Sequence, residues 1–258
     1  MTSVAKRYIG EVGLADLKVI SDFYGREFLP YPFWIAEPRR FATRDEYSAH
    51  ASSVVSRFQE GDLSIFREWA GTYVDADIRV ECHVKYPQRT KPSVRLIAHR
   101  MGDRGFFSSQ RPTEDTVDVF SLSPFDLGAV IADLAPGGKP GTMPSIAITE
   151  YRPSKSRVER DDVVVSHDID ADTPVPMLSR SSVVALGTVQ SHWRPARRWG
   201  LDRSKTGVIW VEIKDQGVYI YDRDLLVARP MTKDLLRERI DRLISEDVAI
   251  LRELRQRR

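Results

Sequence analysis

Apolar and polar side chains alternate at every position from residue 76 to residue 86. The apolar series includes Ile78, Val80, Cys82, Val84 and Tyr86, with Arg79, Glu81, His83 and Lys85 between them. Successive side chains of a β-strand point to opposite faces, so this pattern predicts a half-buried strand.

A weak internal repeat relates two later parts of the chain. Segments 94–107 and 206–219 each contain a strand pattern, an Asp-x-Gly turn and a second strand pattern. We expect the turns at Asp103–Gly105 and Asp215–Gly217, because glycine readily adopts the positive φ that short hairpin turns require.

The same order continues beyond both hairpins. A third strand is predicted at 116–122 in the first copy and at 225–229 in the second, and a helix follows each. We expect these helices to begin at Ser123 and Thr232, whose hydroxyls can accept a free backbone N–H. The apolar positions of the two helices then match in pairs with a helical period, Leu127 with Leu236, Ile131 with Ile240 and Leu134 with Leu243.

Helices are also predicted at both ends of the chain. Near the N-terminus, Leu14, Leu17, Ile20 and Phe23 share one helical face, and Thr43 and Glu46 form a capping box before a helix that stops at Gly61. A short helix through Leu63, Phe66 and Trp69 follows. The last helix spans 233–255, and its apolar face either packs on its own domain or receives a partner helix.

These patterns predict an α+β fold in which two strand-strand-strand-helix halves form a pseudo-two-fold repeat around a central, mainly antiparallel sheet, with helical bundles. We expect one domain over 1–258, divided into an N-terminal half (1–134), a linker and irregular region (135–182) and a C-terminal half (183–258).

The composition argues against several classes of protein, including nucleic-acid binders and membrane proteins. The 258 residues are 41% apolar, and 39 basic against 37 acidic residues leave a net charge of +2, which is too balanced for a dedicated nucleic-acid binder. No apolar run is long enough for membrane insertion, and residues 1–7 do not resemble a secretory signal. A lone Cys82 excludes an intrachain disulfide. We therefore expect a cytoplasmic protein.

No residue set predicts catalytic, cofactor-binding or metal-binding chemistry. Cys82 and His83 are adjacent in a strand, so their side chains point apart. The acidic stretch from Asp168 resembles a calcium loop but has Thr173 and Ser179 where Gly and Glu are required. The segment 137–142 fails the phosphate-loop spacing. We expect no enzyme activity and no cofactor.

Several segments resemble a known family. These are Gly207–Tyr221 with its strand pair, Pro230–Thr232 before the last helix, Leu29–Phe33 after the first helix, and the approximate repeat. Together they are similar to the EspG family, the cytosolic chaperones of the type VII (ESX) secretion systems of actinobacteria. The resemblance implies a non-enzymatic protein that binds a secreted helical heterodimer of the PE–PPE type, or a WXG-like helical protein, on its central sheet and C-terminal helices.

The predicted cargo surface lies on one face of the strands. Ile97 and Met101 align with Ile209 and Ile213, and we expect that face to pack on helices. The other face carries the residues expected to bind cargo, which are Leu96, Arg100, Trp210 and Glu212. Trp and Arg are common interface anchors, but Trp210 is equally consistent with a core position.

Two alternatives to a chaperone remain at this point. One is a small-ligand-binding protein or enzyme on the same α+β scaffold, which would have an enclosed pocket with convergent polar groups instead of an exposed apolar patch. The weaker one is nucleic-acid binding through the basic loops 87–93 and 194–205, against which the net charge argues. The sequence predicts no particular oligomeric state.

Overall fold

A computed structural model describes residues 4–36, 40–88, 91–148, 175–194 and 199–257. Its strands are β1 (Lys6–Gly13), β2 (Ile78–Lys85), β3 (Val94–Met101), β4 (Arg104–Gln110), β5 (Thr116–Leu122), β6 (Ala147–Ile148), β7 (Met177–Leu178), β8 (Val183–His192), β9 (Val208–Ile213), β10 (Gly217–Tyr221) and β11 (Ala228–Pro230). The helices are α1 (Leu14–Phe23), α2 (Arg44–Glu60), α3 (Arg67–Val74), α4 (Leu127–Leu134) and α5 (Lys233–Gln256).

Nine strands form one antiparallel sheet in the order β1-β5-β4-β3-β2-β8-β9-β10-β11. The β2–β8 pair lies at its centre. On each side of that pair three strands follow in chain order and then a helix, α4 after β5 and α5 after β11. The predicted α+β class with a large antiparallel sheet is therefore confirmed, while the residue-by-residue alignment of the repeat stays a prediction.

Both faces of the sheet are covered. On one face, here the α4–α5 face, α4 and α5 pack on apolar side chains of the central strands, among them Cys82 and Trp210. On the other, the α1–α3 face, the three N-terminal helices pack on β3, β4 and β5. Near β9 and β10 that second face is covered by residues around Ile146.

The alternation of apolar and polar side chains in β2 does not correspond to an alternation of buried and exposed side chains. Arg79 and Glu81 are each 3% exposed, so the polar side of the strand is as buried as the apolar side. The prediction of a half-buried strand is wrong in this respect, because residues from other parts of the chain cover the polar side as well.

The first hairpin turn lies one step earlier than predicted. Gly102, with φ of 59°, takes the positive-φ position, as in the two-residue turns that have glycine first. Gly105 is required for a different reason: a Cβ there would lie 2.8 Å from the Leu122 carbonyl oxygen. In the second hairpin the prediction is confirmed, since Gly217 has φ of 96°.

Two of the three predicted helix caps are confirmed. The backbone N–H of Glu46 donates to Thr43 Oγ1 (3.1 Å), and that of Leu235 donates to Thr232 Oγ1 (3.1 Å). Ser123 does not cap α4, which begins at Leu127; its hydroxyl accepts from the Phe125 N–H within the preceding turn.

The sequence did not predict β1, whose partner strand β5 lies about a hundred residues later in the chain. The last strand of the second copy is Ala228–Pro230 and not 225–229, because Leu225 takes a positive φ of 59° in the turn before it. In the predicted irregular region, β6 and β7 form a short parallel pair. Residues 149–174, which include most of the acidic calcium-like stretch, lie outside the described residues.

Candidate partner-binding surface

Two of the four predicted cargo residues are in the core. Leu96 is 4% exposed and Trp210 is 1% exposed, and both belong to the apolar cluster beneath α4 and α5. The Trp210 ring lies directly on Gly187, where a Cβ would come within 2.0 Å of it. The expectation that these side chains face a partner is thus corrected in favour of the core position, because α4 and α5 cover this face of the sheet.

The other two predicted residues are partly exposed but separated. Arg100 lies in β3, and its Nη1 donates to the Pro124 carbonyl oxygen at 3.1 Å. Glu212 lies in β9, on the far side of β2 and β8. The structure therefore does not bring the four residues together on one exposed surface. A role for Arg100 or Glu212 in partner binding stays a prediction.

The α1–α3 face carries an exposed aromatic group instead. We call Tyr31, Trp34 and Trp199 the aromatic surface. The Trp34 and Trp199 ring centroids are 5.4 Å apart, and Tyr31 meets Trp199 edge-on at 5.2 Å. Trp34 is 53% exposed and Trp199 38%, whereas Tyr31 is buried beside them.

Hydrogen bonds hold the Trp34 backbone and the Trp199 ring in place. The Trp34 backbone N–H donates to Gln110 Oε1 (3.0 Å), and Gln110 Nε2 donates back to the Trp34 carbonyl oxygen (2.9 Å). Trp199 Nε1 donates to the Phe33 carbonyl oxygen at 3.3 Å. The aromatic surface is thereby fixed to the strand β4 and to the 29–34 segment.

Cations adjoin the aromatic surface. The Tyr31 hydroxyl is hydrogen-bonded to His83 Nδ1 (3.3 Å). His83 in β2 lies directly opposite Arg95 in the neighbouring strand β3. Burial, with Lys85 and Arg95 nearby, lowers the pKa of His83 to about 3, so its ring is neutral. Burial raises the pKa of Tyr31 to about 12. Lys85 and Arg95 are therefore positive charges next to these rings, while the Glu81 carboxylate, which also acts on Tyr31, is paired with Arg79.

A buried polar cluster lies further along the same face. Arg79 Nε donates to Glu81 Oε1 at 2.7 Å, and His192 Nε2 is 3.5 Å from Glu81 Oε2. The Arg79 guanidinium lies 5.1 Å from the centre of the Tyr73 ring. Arg79 and His192 hold the pKa of Glu81 below its usual range despite its burial, so this carboxylate is a paired ion and a poor general base.

The adjoining cavity is small. It has a volume of about 30 Å³ and lies between α1, α3 and β2, lined by mostly apolar side chains with Tyr24, Tyr73 and Arg79. Ligand pockets commonly measure about 300 Å³ or more, so it has room for water or a small ion. Burial raises the pKa of the Cys82 thiol, as expected for a structural cysteine. Within the described residues, no group of three His, Cys, Asp or Glu side chains is placed to hold a metal ion.

The comparisons with known proteins give a structural likeness but no sequence match. No family model matches the sequence, and no curated protein matches it. The chain is similar in structure to the Mycobacterium tuberculosis type VII secretion system chaperone EspG5, solved in complex with a PE25-PPE41 dimer. That likeness has a TM-score of 0.46 and 10% identity, and covers 93% of this chain and 96% of the other. At this distance it transfers no partner or activity to this chain. Across the described residues, every helix is too short or too polar to span a bilayer.

Sequence reasoning missed the aromatic surface. Trp34 follows directly on the Leu29–Phe33 segment, and Trp199 lies in the basic loop 194–205. The two tryptophans are 165 positions apart, and only the folded chain shows that their rings touch.

Proposed function

We propose that this chain is a non-enzymatic cytoplasmic chaperone or adaptor of a type VII secretion system, which binds a helical secreted heterodimer of PE–PPE or WXG-like type before export. The kind of partner follows from the family resemblance of Gly207–Tyr221, Pro230–Thr232 and Leu29–Phe33. The antiparallel sheet with a helix after each set of strands is compatible with that resemblance.

The aromatic surface is the observation that carries a binding function. Tryptophan is among the residues most enriched at interface hot spots, and two of them lie here in contact and partly exposed. Burying both rings against a partner would remove a large apolar area from water, which favours association.

The experiment is affinity capture of the tagged full chain from the cytosol of its source, with mass spectrometry of the co-eluting proteins. We expect two helical secreted proteins in equal amounts, which then form a stable complex with the chain when all three are co-expressed and purified. The absence of any helical secreted protein, in cells that express the secretion system, would contradict the proposal.

A small-ligand-binding function is the second candidate. Arg79 Nη2 is buried and, among the described residues, has no hydrogen-bond partner, so the cavity beside it could take a small anion. The test is the melting temperature with millimolar acetate or inorganic phosphate, against chloride at equal ionic strength. A rise of several degrees supports this candidate, and identical melting temperatures remove it.

A further inference from the structure

Arg95 is an incompletely satisfied cation beside the aromatic surface. It is half-buried in β3, and its Nη1 donates to the Ser93 carbonyl oxygen at 3.3 Å, while its Nε is buried and has no hydrogen-bond partner among the described residues. Desolvating a guanidinium without a counter-ion is unfavourable, and burial accordingly lowers its pKa. A carboxylate from outside the chain, bound to the guanidinium, would restore the charge balance.

The charge around Arg95 has one sign. In the part of the chain that the structure describes, no carboxylate lies within ion-pair distance of Arg95 or of the exposed Lys85. His83, directly opposite Arg95, is neutral. The negative charge of Glu81 also acts on Tyr31, but this carboxylate forms an ion pair with Arg79, which compensates its charge. An acidic group is therefore the complement of this surface.

The aromatic surface and the cations are continuous. Tyr31 contacts Trp199 on one side and His83 on the other, with ring-centroid distances of 5.2 Å and 5.9 Å, and His83 leads to Arg95 across the strand pair. Because a hydrogen bond already holds the Trp199 indole, little of its side-chain entropy is lost on binding. By contrast, Phe125, the most exposed of the large apolar side chains described, has no ring partner within the described residues.

We infer that Trp34, Trp199, Lys85 and Arg95 together bind an acidic amphipathic helix of the partner, with its apolar side chains on the two tryptophans and a carboxylate on the Arg95 guanidinium. This rests on the proposed function for the helical nature of the partner. It places the contact on the α1–α3 face, away from α5.

The first test measures binding of each variant to the purified partner that co-elutes with the wild-type chain in the capture experiment. We expect Trp34→Ala, Trp199→Ala and Arg95→Gln each to weaken binding roughly tenfold or more, and Arg95→Lys to weaken it less. Raising the salt concentration should slow association of the wild type and affect Arg95→Gln less. The matched controls are Phe125→Ala and Arg252→Gln, an exposed ring before α4 and an exposed cation on α5, which should bind as the wild type does. Circular dichroism melting of every variant checks that it is folded.

Loss of binding in the two controls, with full binding by Trp199→Ala and Arg95→Gln, would place the partner on α5. That result overturns the inference and leaves the proposed function standing.

A second test does not depend on capturing a partner. The probes are two synthetic helices with leucine on one face, identical except that the glutamates of one are lysines in the other. Titration is followed by tryptophan fluorescence of the full chain. We expect the acidic helix to bind the wild type, and to bind Arg95→Gln and Trp199→Ala much more weakly. Equal binding of both helices, or binding of neither, overturns the inference whatever the capture experiment gives.

Discussion

At the scale of single residues, the polar side of β2 is buried because it is internally compensated. Arg79 and Glu81 lie two positions apart on one face of the strand, which brings their side chains together at 2.7 Å. Neither ion could be buried alone without a large cost, and the pair with its hydrogen bond reduces that cost. A strand with four charged or polar positions can therefore lie at the centre of a sheet.

Two buried histidines on the neighbouring strands β2 and β3 make stability depend on pH. Burial lowers the pKa of His83 and of His99 to about 3, from an ordinary value of 6.5. Below pH 6.5 the unfolded chain takes up a proton at each position and the folded chain does not, so the free energy of unfolding falls as pH falls. The loss approaches about 1.4 kcal/mol per pH unit for each histidine.

Urea unfolding at about pH 7.5 and pH 5.0 measures this effect. That window lies above the ordinary pKa of Glu81, so its ion pair does not contribute to the change. His99→Gln keeps a donor for the Trp69 carbonyl oxygen and should reduce the pH dependence by roughly half. An unchanged pH dependence in that variant would show that His99 titrates normally in the folded chain.

Trp210→Ala is expected to destabilise the fold. The ring is 1% exposed among apolar side chains beneath α4 and α5, and its removal leaves a large cavity. The free energy of unfolding should fall by about 3–5 kcal/mol, as measured by denaturant titration. Gly187→Ala should also destabilise the chain, because its Cβ would press on the same ring. A melting temperature that stays unchanged in Trp210→Ala would instead support an exposed, partner-facing indole.

At the scale of elements, the first half of α5 is packed on the sheet, whereas apolar residues near its end are exposed. Leu236, Ile240 and Leu243 are buried on the sheet, while Ile250 and Leu254 near its end are about 40% exposed. Lys205 and Asp247, 2.6 Å apart, and the pair Arg255–Asp77 fix the second half to the domain. The packed-helix interpretation holds for the first half, and the exposed positions leave the last turns available to solvent or a partner.

The N-terminus of α5 provides a capping prediction. Thr232→Ala removes the acceptor of the Leu235 N–H, so the free energy of unfolding should fall by about 1 kcal/mol. Ser123→Ala is the matched control, because that hydroxyl lies in a turn four residues before α4 and should change stability much less. Equal losses in thermal or urea unfolding would contradict the assigned difference between the two sites.

At the scale of the whole molecule, one continuous sheet joins the two halves. The β2–β8 pair connects residues of the predicted N-terminal half to residues of the C-terminal half through seven paired positions. Strands at the centre of a sheet have partners on both sides, whereas β1 and β11 lie at its edges. We infer a single cooperative unit from this arrangement.

Native-state hydrogen exchange tests that cooperativity. Amides of β2 and β8 should exchange slowest, with the same opening free energy, and those of β1 and β11 considerably faster. Two different opening free energies, one for β2 to β5 and another for β8 to β11, would show that the halves unfold independently.

Some features of this protein follow from local sequence alone. The alternation at 76–86 predicted β2, the Thr43 and Thr232 hydroxyls predicted two helix starts, and the glycine of Asp215–Gly217 predicted the second hairpin. These signals act between residues a few positions apart. The backbone geometry of a strand, a cap or a turn can therefore be predicted without the rest of the chain.

Tertiary structure alone decided which faces are covered and which residues are exposed. Trp210 and Trp34 are the same residue type in apolar surroundings, yet one is 1% and the other 53% exposed. The difference depends on where α4, α5 and the 199–205 loop lie, and those positions come from contacts between residues that are far apart in the sequence. The pairing of β1 with β5, the Trp34–Trp199 contact and the uncompensated charge of Arg95 have the same origin. Local pattern specifies each element, whereas burial is a property of the assembled layers.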